Sequence, residues 1–85
     1  MKEKKFIELK IVKPTKVEIF QVEWISVQSP AGNFIVGLNH VPLVSRLKYR
    51  GKLIFKPYDK EETEIDTYVG FFKIKNNKAL VILNM

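Results

Sequence analysis

No part of this 85-residue chain repeats apolar residues at the i, i+3, i+4, i+7 spacing that an amphipathic helix requires. Short segments alternate apolar and polar residues instead, most of them ended by turn clusters that contain Pro, Gly or Asn. Ile7, Leu9 and Ile11 fall on one face and Glu8 and Lys10 on the other, until Pro14-Thr15 breaks the run. Lys16 to Phe20 resumes the alternation, with Val17 and Ile19 against Glu18, and Gln21 to Val27 continues it, carrying Trp24 and Ile25 on opposite faces. Leu43 to Leu47 and Lys52 to Lys56 follow, the second placing Leu53 and Phe55 together before Pro57 stops it. Glu62 to Val69 puts Glu62, Glu64 and Asp66 outward and Ile65, Thr67 and Val69 inward. Gly70 marks a bulge or tight bend, after which Phe72 and Ile74 oppose Lys73 and Lys75. Lys78 to Leu83, reached through an Asn76-Asn77 turn, is apolar on both faces and so reads as a central strand. Some eight or nine short strands at near-regular spacing predict one all-β domain over residues 1–85, a sandwich or a barrel.

The stretch from Gln28 to Leu47 departs from this economy. A turn cluster, Gln28 to Asn33, leads into Phe34-Ile35-Val36, which is short for a strand. A second turn follows at Gly37-Leu38-Asn39, then the only histidine, His40, and Val41-Pro42-Leu43-Val44. An ordinary hairpin needs one tight turn. Two turns around a short apolar segment read as a constrained surface feature presented for recognition.

The remaining chemistry is sparse. Without cysteine there is no disulfide framework, thiolate metal site or thiol nucleophile. His40 has no partner at a triad or metal-ligand spacing, and the four glycines stand too far apart for a phosphate loop. The acidic residues between Glu61 and Asp66 lack calcium-loop order and read as the solvated face of a strand, opposite a cross-strand lysine. The chain is therefore read as non-catalytic, with no metal site and no cofactor. The basic start, Met1 to Lys5, precedes a segment interrupted by Glu8, Lys10 and Lys13, so neither a secretion signal nor a membrane helix is expected.

A net charge of +6 raises a second reading, a small basic β-barrel that binds single-stranded nucleic acid. The basic residues are dispersed along the chain and partly balanced by the acidic block Asp59 to Asp66, which favours lysines that simply face solvent. Phe71 and Phe72 are adjacent and point to opposite faces, so at most one could join a base-stacking platform. Phe72 is assigned to the core.

The ordered motifs resemble those of a known family, the N-terminal β-sandwich domain of the epsilon subunit of F-type ATP synthases (delta in mitochondria). Leu9-Lys10-Ile11-Val12-Lys13-Pro14 is similar to its opening strand and proline turn, and Val22-Glu23-Trp24-Ile25-Ser26-Val27 to the next strand. The family signature Glu-Gly-Glu-Phe-Gly-Ile-Leu-Pro-x-His-Ala-Pro-Leu aligns without gaps on Ala31 to Leu43, agreeing at Gly32, Phe34, His40, Pro42 and Leu43. Val69-Gly70-Phe71-Phe72-Lys73-Ile74 matches a later Gly-Gly-Phe-Leu-Glu-Val segment.

The resemblance implies a flattened sandwich of two sheets with roughly ten short strands, carried in the central stalk of a rotary ATPase. It implies a gamma-like partner contacted by His40, Pro42, Leu43 and Ser45, with Lys13 nearby. The loop of Ser29, Pro30, Ala31, Gly32, Asn33 and Phe34 would face the membrane c-ring or a replacement partner. Contact with the alpha/beta hexamer would be indirect. The chain would sit in the cytoplasm, peripheral to the inner face of the cell membrane through the complex. Asn33 stands where the family has an acid, and Ile35 and Leu38 replace its Gly and Pro, so two apolar side chains are expected at the surface. With the Lys-, Asn- and Ile-rich composition, this altered loop points toward a specialised F-type-like ATPase of the mycoplasma kind. No counterpart of the family's C-terminal helical hairpin is seen, so regulation by that hairpin is not expected.

Overall fold

The computed structural model describes residues 6–84; the basic start lies outside them. Eight strands run in chain order: β1 (Ile7–Val12), β2 (Val17–Ser29), β3 (Gly32–Val36), β4 (Leu43–Arg46), β5 (Gly51–Pro57), β6 (Thr63–Thr67), β7 (Gly70–Lys75) and β8 (Lys78–Leu83). The all-β expectation holds, with eight strands among the described residues rather than ten. Eight agrees with the alternation count of eight or nine, and the continuous run from Lys16 through Val27 is carried by one 13-residue strand, β2. Phe34-Ile35-Val36 also belongs to a full strand, β3, which returns antiparallel along β2 from Ser29↔Gly32 to Ile25↔Val36. The first turn of the Gln28–Leu47 stretch is thus an ordinary hairpin through Pro30-Ala31. It closes at Gly32, whose φ of +142° favours glycine.

Hydrogen bonding follows one path, β4-β7-β8-β1-β2-β5-β6, with β3 added to β2. The path folds into two layers because β2 serves both. Its first half pairs with β1, from Val17 to Val22, and its second half with β3, from Ile25 to Ser29. Between them, Val22 pairs with Pro57 and Trp24 with Lys56, a bulge that leaves Glu23 over. One extra residue switches the face that looks inward. Val22 is buried before the bulge, and Ile25, Val27 and Ser29 after it. Layer one is therefore β4-β7-β8-β1 with the start of β2, and layer two is β3, the end of β2, β5 and β6. The described residues extend 39 × 26 × 20 Å, a flattened body.

The core joins the inner faces: Ile7, Leu9 and Ile11 of β1, Phe72 and Ile74 of β7, and Val81 of β8 meet Ile25, Leu53 and Phe55 of layer two. Phe34 on β3 sets its ring against Phe72 on β7, centroids 6.1 Å apart, and Phe20 lies 4.9 Å from Phe55. Each such large side chain contributes roughly 1.5–3 kcal/mol on burial. Phe72 is in the core and β8 is central, as expected. Thr67 is also buried, its hydroxyl donating to Lys48 O at 2.9 Å, whereas Val69 is exposed because the strand ends before it. Gly70 is required by crowding rather than by a turn: a Cβ there would sit 2.2 Å from Ile82 O.

Candidate interaction surface

The connection from β3 to β4 crosses between the layers at residues 37–42, and it is tied down. Asn39 takes the left-handed conformation, φ 62°, and its main-chain amide donates to Asn77 Oδ1 at 2.7 Å. Asn77 Nδ2 donates back to Asn39 Oδ1 at 3.1 Å. Asn76 and Asn77 form a two-residue turn between β7 and β8, with φ of 52° and 59°, the left-handed pair that suits a twisted hairpin. Asn77 O in turn accepts from Glu8 N at 3.0 Å. The loop is therefore anchored to a turn that is itself anchored to β1.

On this support His40 is half-buried, with Nδ1 2.8 Å from Val41 O. Val41 and Pro42 are exposed, Val41 at 69%. A shallow depression is lined by Asn39, His40, Pro42, Asn76 and Asn77. Leu43 and Ser45 stand apart from this display: in β4 they alternate with exposed Val44 and Arg46, and Leu43 packs against the core. Val41, Val44, Asn39 and Asn77 were not singled out by sequence. The Gly37-Leu38-Asn39 and Asn76-Asn77 turns were both legible in the sequence, and neither indicated that the two would touch.

The two predicted surface sets are at opposite ends of the sandwich. Ser29 to Phe34 surrounds the β2–β3 turn, and β3 separates that turn from Val36 by roughly 13 Å at the usual rise per residue. Pro30, Ala31, Gly32 and Asn33 are exposed there. Ser29 is buried, with its hydroxyl donating to Gly32 O, and Phe34 is half-buried against Phe72. Ile35 and Leu38 are both exposed, Ile35 at 66%, as the substitutions of the family's Gly and Pro suggested. Ile35 lies in a regular strand with no positive φ, so the loss of that glycine imposes no strain.

Lys13 is not near His40. It follows the last residue of β1, whereas the Asn77 anchor meets Glu8 at the start of that strand. Lys13 Nζ instead pairs with Glu18 Oε1 at 2.9 Å and lines a depression with Pro14, Thr15, Ile65, Asp66 and Leu83. The hydrogen bond from Lys13 holds the Glu18 carboxyl below the usual carboxylate range. Partial burial opposes this, and the charges of Lys13 and Lys16 assist it.

The acidic face of β6 meets the lysine that alternation suggested. Lys52 Nζ lies 2.8 Å from Asp66 and 3.3 Å from Glu64, and these bonds raise its pKa above the ordinary lysine value, Asp66 contributing most. Among the described residues no helix is long and apolar enough to cross a membrane.

Residues 6–85 match the family described as ATP synthase, Delta/Epsilon chain, beta-sandwich domain. An ATP synthase epsilon chain from Chlorobium limicola is 36% identical over 80 residues, which cover 92% of this chain and 89% of that one. A cryo-EM structure of the central stalk and c-ring of the Tetrahymena thermophila mitochondrial ATP synthase contains a similar fold. Its TM-score is 0.80 at 13% identity, covering all of this chain and 67% of that one. A chain of the Euglena gracilis mitochondrial ATP synthase gives a TM-score of 0.88 at 15% identity, and this chain spans 54% of its length. At these identities the two structures share the fold alone. The match across nearly the whole length, joined to the Chlorobium relative, assigns the chain: it belongs to the ATP synthase delta/epsilon family, as its β-sandwich domain.

Proposed function

We propose that this chain is a non-catalytic central-stalk subunit of a rotary F-type or F-type-like ATPase, clamped to a gamma-like subunit so that torque passes through it. The observation that carries this reading is the clasped loop at residues 37–42. Family membership brings the expectation of a gamma contact at the His–Pro signature, and the Asn39–Asn77 hydrogen bonds hold that segment in one conformation before any partner arrives. A pre-ordered loop loses less conformational entropy on binding. His40, Val41 and Pro42 supply the exposed contact, with Leu43 and Ser45 on the adjoining strand β4, and Lys13, at the far end of β1, lies apart from this loop.

The Pro30–Asn33 tip, at the other end, is the site for a membrane c-ring or for a partner that replaces it. Asn33 carries no charge there, and Ile35 adds exposed apolar surface beside it. These features support the specialised F-type-like version, with the chain peripheral to the inner face of the cell membrane through its complex.

The absence of cysteine makes a direct test available, since one introduced cysteine is unique in the chain. Val41→Cys, carrying a short photo-crosslinker in the native complex, is expected to attach to a gamma-like subunit. Ala31→Cys is expected to attach to a ring subunit or its replacement. Crosslinking of Val41→Cys to other proteins only would refute the clamp.

A further inference from the structure

The outer face of layer one carries a feature that the rotor reading does not use. Strand register aligns Phe71, Ile82, Val12 and Val17 in one row across β7, β8, β1 and β2, with Arg46 of β4 at its end. Phe71, Ile82 and Val17 are 52%, 44% and 54% exposed among the described residues. The next row alternates charge with apolar surface: Val44, Lys73, Leu80, Lys10, Ile19. The row after that brings Lys75 and Lys78 beside Glu8.

The lysines dispersed along the sequence are thus gathered by the fold. Lys52 and Lys56 of layer two are paired with Glu64, Asp66 and Glu23, and Lys13 and Lys16 at the edge of layer one with Glu18, whereas the outer-face cations Lys10, Lys73, Lys75, Lys78 and Arg46 are in no such pair among the described residues.

We infer that this face docks an amphipathic helix whose apolar ridge is flanked by aspartate and glutamate. The apolar row spans about 14 Å at a strand spacing of roughly 4.8 Å. Successive ridge residues of a helix lie about 5 Å apart along its axis, so about three turns match the row. Acidic flanks would meet the lysines of the second and third rows, which are grouped on one side of the apolar row and so orient the helix. A second copy of the same face would bring like charges together. Base stacking has a single aromatic to use, Phe71, where single-strand binders line up several. The strands of this face carry no tryptophan or tyrosine in the aligned rows, the residues that favour a membrane interface.

The inference rests on this chain alone and not on the rotor assignment. The test is a titration of the isotope-labelled full chain, followed by amide NMR, with a synthetic helix of leucine ridge and glutamate flanks. A lysine-flanked version, anionic phosphatidylglycerol vesicles and a thymidine oligonucleotide are titrated in parallel. The expected result is shifts confined to β7, β8, β1 and the first half of β2 with the glutamate peptide, weakening at high salt. Phe71→Ser is expected to weaken binding about tenfold. Lys73→Glu, which leaves the apolar row intact, is expected to do the same and to permit binding of the lysine-flanked peptide. Absence of glutamate-peptide binding, equal binding of both peptides, shifts on layer two, or binding of vesicles or oligonucleotide alone would overturn it.

Discussion

Asn39 and Asn77, 38 residues apart in the chain, hold each other by two hydrogen bonds, amide to Oδ1 at 2.7 Å and Nδ2 to Oδ1 at 3.1 Å. The clasp fixes the loop before His40 to the β7–β8 turn. Because Asn77 has a left-handed φ, Asn77→Gly removes the side chain without adding backbone strain. That variant should lose about 1 kcal/mol of stability. Amide exchange should accelerate at residues 38–41 and not in β1 or β8. Its affinity for a gamma-like partner should fall, since the loop would have to be ordered on binding.

Gly70→Ala probes a different constraint. The new methyl group would meet Ile82 O at 2.2 Å and Leu47 Cδ1 at 3.2 Å, and a backbone carbonyl inside a sheet cannot rotate away. Destabilisation of about 1–3 kcal/mol or more is expected, measured by urea unfolding. Gly37→Ala, where a Cβ meets nothing within 4 Å and φ is not in the left-handed region, should be close to neutral.

Phe72 sits at the join of the two layers, fully buried and edge-on to Phe34. Phe72→Ala should cost about 3–5 kcal/mol. A domain of this size has only about 4–13 kcal/mol in total, so partial unfolding at 37 °C is expected by circular dichroism. Phe71→Ala, on the outer side of the same strand, should change stability little.

The Lys13–Glu18 pair sets a pH dependence. The folded-state pKa of Glu18 is depressed, chiefly by the Lys13 hydrogen bond, so its contribution is present at neutral pH. That contribution is lost as pH falls through the lowered folded value. The pair is partly exposed, so Glu18→Gln should cost less than about 1 kcal/mol at neutral pH. The difference from the unaltered chain should vanish in acid. A difference that grew with acidity would have the wrong sign.

Much of the fold was legible because alternation is a local property. Phe72 against Lys73, and Leu53 and Phe55 against Lys52, follow from period-two burial alone. The bulge at Glu23 was not, since an extra residue leaves no mark in composition. Val69 was assigned inward because its residue type fits, but the strand stops at Thr67 and releases it. The His–Pro segment was found by sequence, while its anchor was not, because Asn77 reaches it only through the pairing of β7 with β8 and β1. Lys13 was placed beside His40 by analogy; the length of β1 separates them. Gathering of the lysines likewise depends on register between strands distant in sequence.

The central claim is membership of a rotary ATPase through the clasped loop, and co-purification tests it most directly. The tagged chain is recovered from its native cells, and the proteins and nucleic acids that accompany it are identified. The account predicts alpha-, beta- and gamma-like ATPase subunits with the unaltered chain, and their loss with Val41→Asp, which places a charge on the exposed loop without touching the core. Recovery of nucleic acid with no ATPase subunits would contradict it, as would undiminished recovery of those subunits with Val41→Asp.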